Sequence, residues 1–465
     1  MGRLNFPKHS LTLIVKGTFE LSLGGVAAPA DEQPFPTGDE FYPDDEDMQG
    51  GPRYESDFAY FKPRADLLLA GKCYPPDGRP TQMCQATFRV GAKSRTLTVV
   101  GNRRWERHGL RFKASEAEPF TEMELRYENS YGGEGFKKNP VGKGYRKDQD
   151  EAGKKLQPLP NIEDPQDLLK TSRSHPEPAG FGPLGRMWQM RHDKMGTYKE
   201  KWLKTRWPWF PEDFDWTHYN AAPEDMQLEG YLRGDEQLCF ENLHREHPQY
   251  EAQLPGLRVR CFLNKPTTAE SKETKFVEVP MNLDTLWVDT EAEKLVLVWR
   301  GWAEVLSEDY EEVQHVFIMS EPVEQPPASL EQCHQQFLAK QAETQEAAAI
   351  KPEEPPAGPE VPGEAPSAAE KPPIDPTELE AQTNALLAQM GIDVNKLPPE
   401  AKAKQARLIK KLIETDPDRG LPARTRVHPV RSNRHVHKRH PITANPDIGL
   451  GAVRIHGPGE GESRY

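Results

Sequence analysis

The chain has 465 residues, enough for two or three domains, yet only 35% of them are hydrophobic. Globular chains run to about 45–50% on a count that includes Gly, so part of the length is not core; the 45 Pro and 35 Gly point to many turns and an unstructured segment. The net charge is −13, and residues 424–439 hold six Lys or Arg with no Asp or Glu, leaving an acidic remainder of about −19 that predicts no nucleic-acid partner, because phosphate neutralisation needs a basic face.

The first third predicts short strands. Leu11 to Val15 and Thr18 to Leu23 read as two of them, followed by Leu67 to Gly71, Ala86 to Val90, Thr96 to Val100 and Glu122 to Tyr127. Further on come Gln227 to Leu232, Gln237 to Glu241, Leu257 to Leu263, Lys275 to Val279, Thr285 to Val288, Leu295 to Trp299 and Val313 to Ile318. These runs are short and rich in β-branched and aromatic residues, which favours strands over helices. No regular strand–helix alternation appears, so a doubly wound sheet is not expected. The expected fold is mainly β, with antiparallel sheets arranged as sandwiches or open barrels, long irregular loops, and a small C-terminal α-helical part.

Residues 1–320 form the β-rich body, with room for two subdomains, and contain all nine Trp. Within it, 128–226 is an irregular stretch dense in Gly, Pro, Trp and charge, including Trp207-Pro208-Trp209-Phe210-Pro211. Long irregular connections are either clamped structural loops or functional surfaces. Residues 321–350 carry a Gln/Ala/Glu-rich polar helix. Residues 351–376 hold nine Pro and cannot bury enough apolar surface to offset their conformational entropy, so they read as a disordered linker. A helical pair is expected over 377–414: Thr377 and Glu380 make a capping box, and Leu379, Leu386, Leu387 and Met390 share a face. The remainder, 415–465, is a basic His/Arg-rich tail expected to be disordered without a ligand.

The five cysteines are odd in number and widely spaced, which argues for reduced thiols in a cytoplasmic protein. Neither a signal peptide nor an apolar membrane span is expected.

Candidates for chemistry are few. His244 and His247 between Cys239 and Cys261 are four potential zinc ligands at a loose spacing. Asp213, Asp215 and His218 could do acid–base work if buried and convergent, or else be turn residues capping amides. No Gly-x-Ser-x-Gly elbow, phosphate loop or His-Glu-x-x-His helix is present, so no metal, no cofactor and no catalytic residue is expected.

A series of strings carries a resemblance. In order they are Ile14-Val15-Lys16-Gly17-Thr18-Phe19, Ser56-Asp57-Phe58, Lys62 through Gly71, Tyr74-Pro75-Pro76-Asp77-Gly78 and Val99 through Trp105. Then follow Tyr127 through Gly133, Asn139 through Gly144, Pro178 through Pro183, Gly196-Thr197-Tyr198 with Trp202, Pro208 through Asp215, and Asn220-Ala221-Ala222-Pro223 with Gln227. Over about residues 5–320 this ordered set resembles the bacterial domain-of-unknown-function 2169 family. Two small departures are Met226 between Asp225 and Gln227, and Tyr131 where Phe is more usual.

The genes of that family sit beside type VI secretion spike and toxin genes. The resemblance therefore implies a non-enzymatic adaptor or chaperone that binds an effector toxin, often one with a PAAR-type tip domain, and loads it on the VgrG spike. It would work in the cytoplasm or leave with the spike. Trp188, Trp207, Trp209, Phe210 and Trp216 are the candidate partner-binding anchors, because aromatics dominate binding hot spots as well as cores. Arg424, Arg426, Arg431, Arg434, Lys438 and Arg439 are the candidate basic contact for an acidic protein face. The rival readings are a hydrolytic or metal-dependent enzyme acting on cargo or cell envelope, and a structural part of the secretion apparatus.

Overall fold

The computed structural model describes residues 10–35, 38–45, 50–108, 111–145, 158–206, 210–266, 274–305, 313, 315–349, 442–444 and 451–457. The linker, the helical pair, Trp207, Trp209 and the basic run 424–439 lie outside them.

The chain divides into two units: residues 1–195, 215–334 and 440–460 form one, and 196–214, 335–439 and 461–465 the other. Among the described residues the larger is built on three main sheets, with three two-stranded pairs beside them. In the first, strands run in the order Gln227–Leu228, Ala65–Ala70, Asn282–Asp289, Lys294–Glu304, Ser10–Glu20 and Ala28–Pro29. The second runs Ile162–Glu163, Lys93–Val100, Met83–Val90, Gln237–Glu241 and Gln249–Gln253. The third runs Thr274–Val279, Leu257–Pro266 and His315–Pro322, with Ile442–Ala444 beside the last. The fold is mainly β and mostly antiparallel, as the sequence leads one to expect. A central pair departs from this: Ala65–Ala70 and Asn282–Asp289 run parallel, from Asp66 opposite Thr285 to Ala70 opposite Asp289.

The first strand corrects the two-strand reading. Ser10–Glu20 is a single strand, paired along its whole length with Lys294–Glu304. Gly17 does not break it, because the Phe19 ring folds back over the glycine; a Cβ there would lie 2.8 Å from that ring. The glycine thus gives the aromatic its place in the core. Phe19, Ile14, Leu67, Leu69, Leu97, Phe240 and Leu297 all join one buried cluster, and Phe88 stacks on Phe240 at 5.6 Å. Burial on this scale, at about 1.5–3 kcal/mol per large side chain, supplies the dominant favourable term for the fold.

The polar helix is Leu330–Ala349. Ser329 and Gln332 cap it reciprocally: the Gln332 amide donates to Ser329 Oγ at 3.2 Å, and the Ser329 amide donates to Gln332 Oε1 at 2.8 Å. Its first turn is tied to the third sheet by Arg260, which donates to Glu278, Glu321, the Ala328 carbonyl and Cys333 Sγ.

Two short segments of the tail lie among the described residues. Gly451–Gly457 is a strand paired antiparallel with Ser10–Lys16, and Ile442–Ala444 pairs parallel with Val316–Ile318. Val453 and Ile455 give the first segment the β-branched alternation of a strand, a pattern hidden by the basic run before it.

In the smaller unit, the Glu200–Thr205 helix carries buried Trp202, whose ring meets Tyr198 edge-on at 4.7 Å.

Candidate functional site

The motif strings meet in buried polar braces. Asp66 is fully buried and accepts from Lys62 Nζ at 2.8 Å, Asn220 Nδ2 at 3.0 Å, and the amides of Ala221 and Ala222 at 2.9 and 3.2 Å. Lys62 also donates to Thr285 Oγ1 at 2.9 Å, and Gln227 donates to the Ala222 carbonyl at 2.8 Å. Two strings remote in sequence therefore form one object: the Lys62–Asp66 pair fixes the loop 220–223 against the first sheet. Removing one member of such a buried pair leaves an uncompensated charge and costs about 3–5 kcal/mol.

A second brace holds the irregular stretch. Arg191, 1% exposed, pairs with Glu55 through Nη1 at 2.5 Å and Nη2 at 2.9 Å. It also donates to the carbonyls of Leu184 and His218 at 2.7 and 2.9 Å. Arg186 adds a 2.6 Å contact to Glu55. Burial alone would raise the Glu55 carboxyl, but the two guanidinium charges outweigh it and bring it down to about 2. A third brace joins Arg300 to Asp284 at 2.7 Å and to the carbonyls of Asp57 and Ala59 at 2.7 and 2.9 Å. Lys16 and Asp57 are both hydrogen-bonded to Tyr54. Tyr54, Glu55, Arg191, Asp284 and Arg300 were not singled out from the sequence; a charged residue inside an otherwise apolar strand was the available signal for Asp284 and Arg300.

The loop string around Tyr131-Gly132-Gly133 is clamped by Asn139, which donates to the carbonyls of Tyr127 and Tyr131 at 2.9 and 3.1 Å. The Ala179 amide donates to Ser130 Oγ at 2.8 Å. Trp188 belongs to this clamp: it is 6% exposed and meets Tyr127 edge-on at 5.3 Å, with Leu184 alongside. Its burial makes it a packing residue with little surface to offer a partner.

Trp216 is placed differently. It is half-buried, lies parallel to Tyr219 at 6.1 Å and meets Phe61 edge-on at 6.4 Å. Tyr60, also half-buried, packs on Tyr219 at 6.1 Å. Tyr60, Phe61, Trp216 and Tyr219 make an aromatic patch of which the sequence showed only Trp216; Tyr60 and Phe61 reach it from more than a hundred residues away, while Tyr219 lies three residues on. Phe210, in the smaller unit, is half-buried against Phe214 at 4.4 Å.

The residues weighed for chemistry are occupied structurally. Asp213 accepts from the Thr197 amide at 2.9 Å and hydroxyl at 2.6 Å, and these bonds hold its carboxyl below the usual range. Asp215 accepts from the Thr217 amide at 2.9 Å, capping the short helical turn Trp216–Tyr219. His218 is buried, with Nδ1 donating to the Arg191 carbonyl at 2.9 Å, and burial lowers its pKa. Asp213 and Asp215 thus play the amide-capping roles of a turn, and His218 ties that turn to the Arg191 carbonyl.

Two of the four zinc candidates, His244 and Cys261, are likewise engaged. His244 Nδ1 accepts from the amides of Glu246 and His247 at 3.2 and 3.1 Å, so Nε2 carries the proton it donates to Glu293 at 2.8 Å. Neither ring nitrogen has a lone pair to give a metal. Cys261 is fully buried, and burial pushes its thiol up to about 12. Among the described residues no group of three or more His, Cys, Asp or Glu is placed to hold a metal ion, and no helix is long and apolar enough to cross a membrane.

The arrangement defines a β-sheet scaffold whose long loops are fixed by buried ionic braces, with a half-buried aromatic patch. The chain belongs to the family described as uncharacterized proteins conserved in bacteria, the domain-of-unknown-function 2169 family, whose profile matches residues 7–300. No curated protein and no solved structure matches it.

Proposed function

We propose that the protein is a type VI secretion adaptor. It binds and stabilises an effector toxin, with or without a PAAR-type domain, and promotes its loading on the VgrG spike. It acts by contact in the cytoplasm and transforms no substrate. The observation that carries this reading is the ordered motif series over the family's span, since the resemblance places such genes beside spike and toxin genes. The braces support it. Recognition by shape needs loops held in one conformation before the partner arrives, because ordering them on binding would weaken the complex. The patch of Tyr60, Phe61, Trp216 and Tyr219 supplies the half-buried aromatic surface from which hot spots are built.

Affinity purification of the tagged protein from a secreting bacterium tests the proposal. Recovery of a toxin or a spike protein in stoichiometric amount is the expected result; recovery of neither counts against it.

A further inference from the structure

We infer that the free edge of the Ser10–Glu20 strand is a strand-acceptor site, occupied in cis by Gly451–Gly457, and that an extended segment of a partner protein displaces this resident. The inference goes beyond the secretion reading and does not depend on it.

Among the described residues, little else covers this edge except at Thr18, which bonds Ala30 and Gln33. On one side Ser10–Glu20 pairs with Lys294–Glu304 over all 11 residues. On the other, Ala28–Pro29 covers only Phe19 and Glu20. Among the described residues, the stretch Ser10–Lys16 that remains is paired only by Gly451–Gly457, from Gly457 opposite Ser10 to Gly451 opposite Lys16. A long apolar edge is a template for any strand that reaches it, and native proteins cover such edges. Here the cover is a remote piece of the same chain.

The resident shows what fits. Val453 and Ile455 stand opposite Ile14 and Thr12, and Ala452, Arg454 and His456 stand opposite Val15, Leu13 and Leu11. The acceptor strand is buried on both faces from Ser10 to Phe19. An occupant therefore needs β-branched residues on one parity and small or basic ones on the other. An acidic residue opposite Ile14 would be buried without a partner. Affinity comes from the main-chain ladder and specificity from the alternate positions, as in other strand-addition complexes.

Such a resident can be displaced. Each ladder bond contributes only about 0.5–1.5 kcal/mol net. Ile442–Ala444 is itself paired with Val316–Ile318, so only the six residues 445–450 join this strand to a docked segment. A short tether of this kind gives an effective concentration of about 1 mM. If the segment's own dissociation constant is about 0.1 mM, the edge is filled about 90% of the time and a competitor's apparent affinity falls about tenfold. At micromolar protein the same segment of a second copy loses to the tethered one by mass action. A partner that also grips another surface of the protein does not.

The test uses the full chain and a fluorescein-labelled peptide of residues 449–459 as the stand-in for a partner strand. Neighbouring residues of an antiparallel strand turn their amides alternately toward and away from the partner. The double change Arg454→Pro with Ile455→Pro therefore removes a ladder donor whichever residue supplies it. A second variant, Val453→Asp, keeps every amide and sets a carboxylate opposite Ile14. Both variants are expected to bind the peptide at least tenfold more tightly than the intact chain. In both, the alternate Leu11–Val15 amides that face Gly451–Gly457 lose hydrogen-exchange protection and regain it with peptide, while those that face Lys294–Glu304 and those of Gln237–Glu241 stay protected. Equal binding to intact and variant chains, or unchanged protection of the amides that face Gly451–Gly457 with no peptide bound, overturns the assignment. A dimer of the intact chain at micromolar concentration would hand the edge to a second copy and overturn it as well.

Discussion

Trp188 meets Tyr127 edge-on beside Leu184, whereas Trp216 stacks on Tyr219 and keeps part of its indole in solvent. The difference predicts two separable outcomes. Trp188→Ala opens a cavity in the loop clamp and costs about 3–5 kcal/mol of stability, measured by urea unfolding. Trp216→Ala costs less than half as much, yet weakens partner capture by about 2 kcal/mol or more, measured by titration. The reverse pattern would move the recognition surface elsewhere. Glu55 makes a pH prediction. Its carboxyl is brought down to about 2 in the folded protein. The stabilisation is thus fully present above the unfolded range near pH 4.5 and disappears as pH falls toward 2, about 3 kcal/mol in all. The lowered pKa of His218 acts with the same sign, because a buried neutral imidazole opposes protonation. Stability measured against pH should decline steeply on the acid side, and Glu55→Gln should flatten the limb between about pH 4.5 and 2.

At the scale of elements, the strands were legible where β-branched and aromatic residues crowd together, as in Lys294–Glu304 and His315–Pro322. Gln249–Gln253 was not, because only Tyr250 and Ala252 of its five residues face the core and the rest are polar. The motif strings were legible as strings, but their meaning was not. That Lys62, Asp66 and Asn220 make one brace is a fact of three dimensions that no local pattern encodes. Charged residues in a recognisable order invite a chemical reading, whereas here they hold loops. Gly132 tests this clamp at the element scale. A Cβ there would lie 2.1 Å from the Asn139 carbonyl oxygen, whereas one at Gly182 would meet nothing within 4 Å. Gly132→Ala is expected to lower the melting temperature by several degrees, equivalent to about 2 kcal/mol or more, and Gly182→Ala to change it by less than about 0.5 kcal/mol. Equal effects would mean that the loop does not depend on this close approach.

For the whole molecule, the sheets and their braces form a scaffold, and the C-terminal segments return to its edges at Val316–Ile318 and Ser10–Lys16. A simple deletion of the tail would therefore remove both strands along with the basic run. The charge contribution is isolated by changing Arg424, Arg426, Arg431, Arg434, Lys438 and Arg439 together to Gln. If that run steers an acidic partner face, capture falls more at low salt than at high salt. Equal capture at both salts would remove electrostatics from the account.

The account rests on recognition by contact, and the cargo itself reports on it most directly. The intact mass of a captured toxin, measured before and after prolonged incubation with the purified protein, should be unchanged while the two remain a stable complex by light scattering. A mass change in the toxin that builds up with time and does not require a lasting complex would contradict the account.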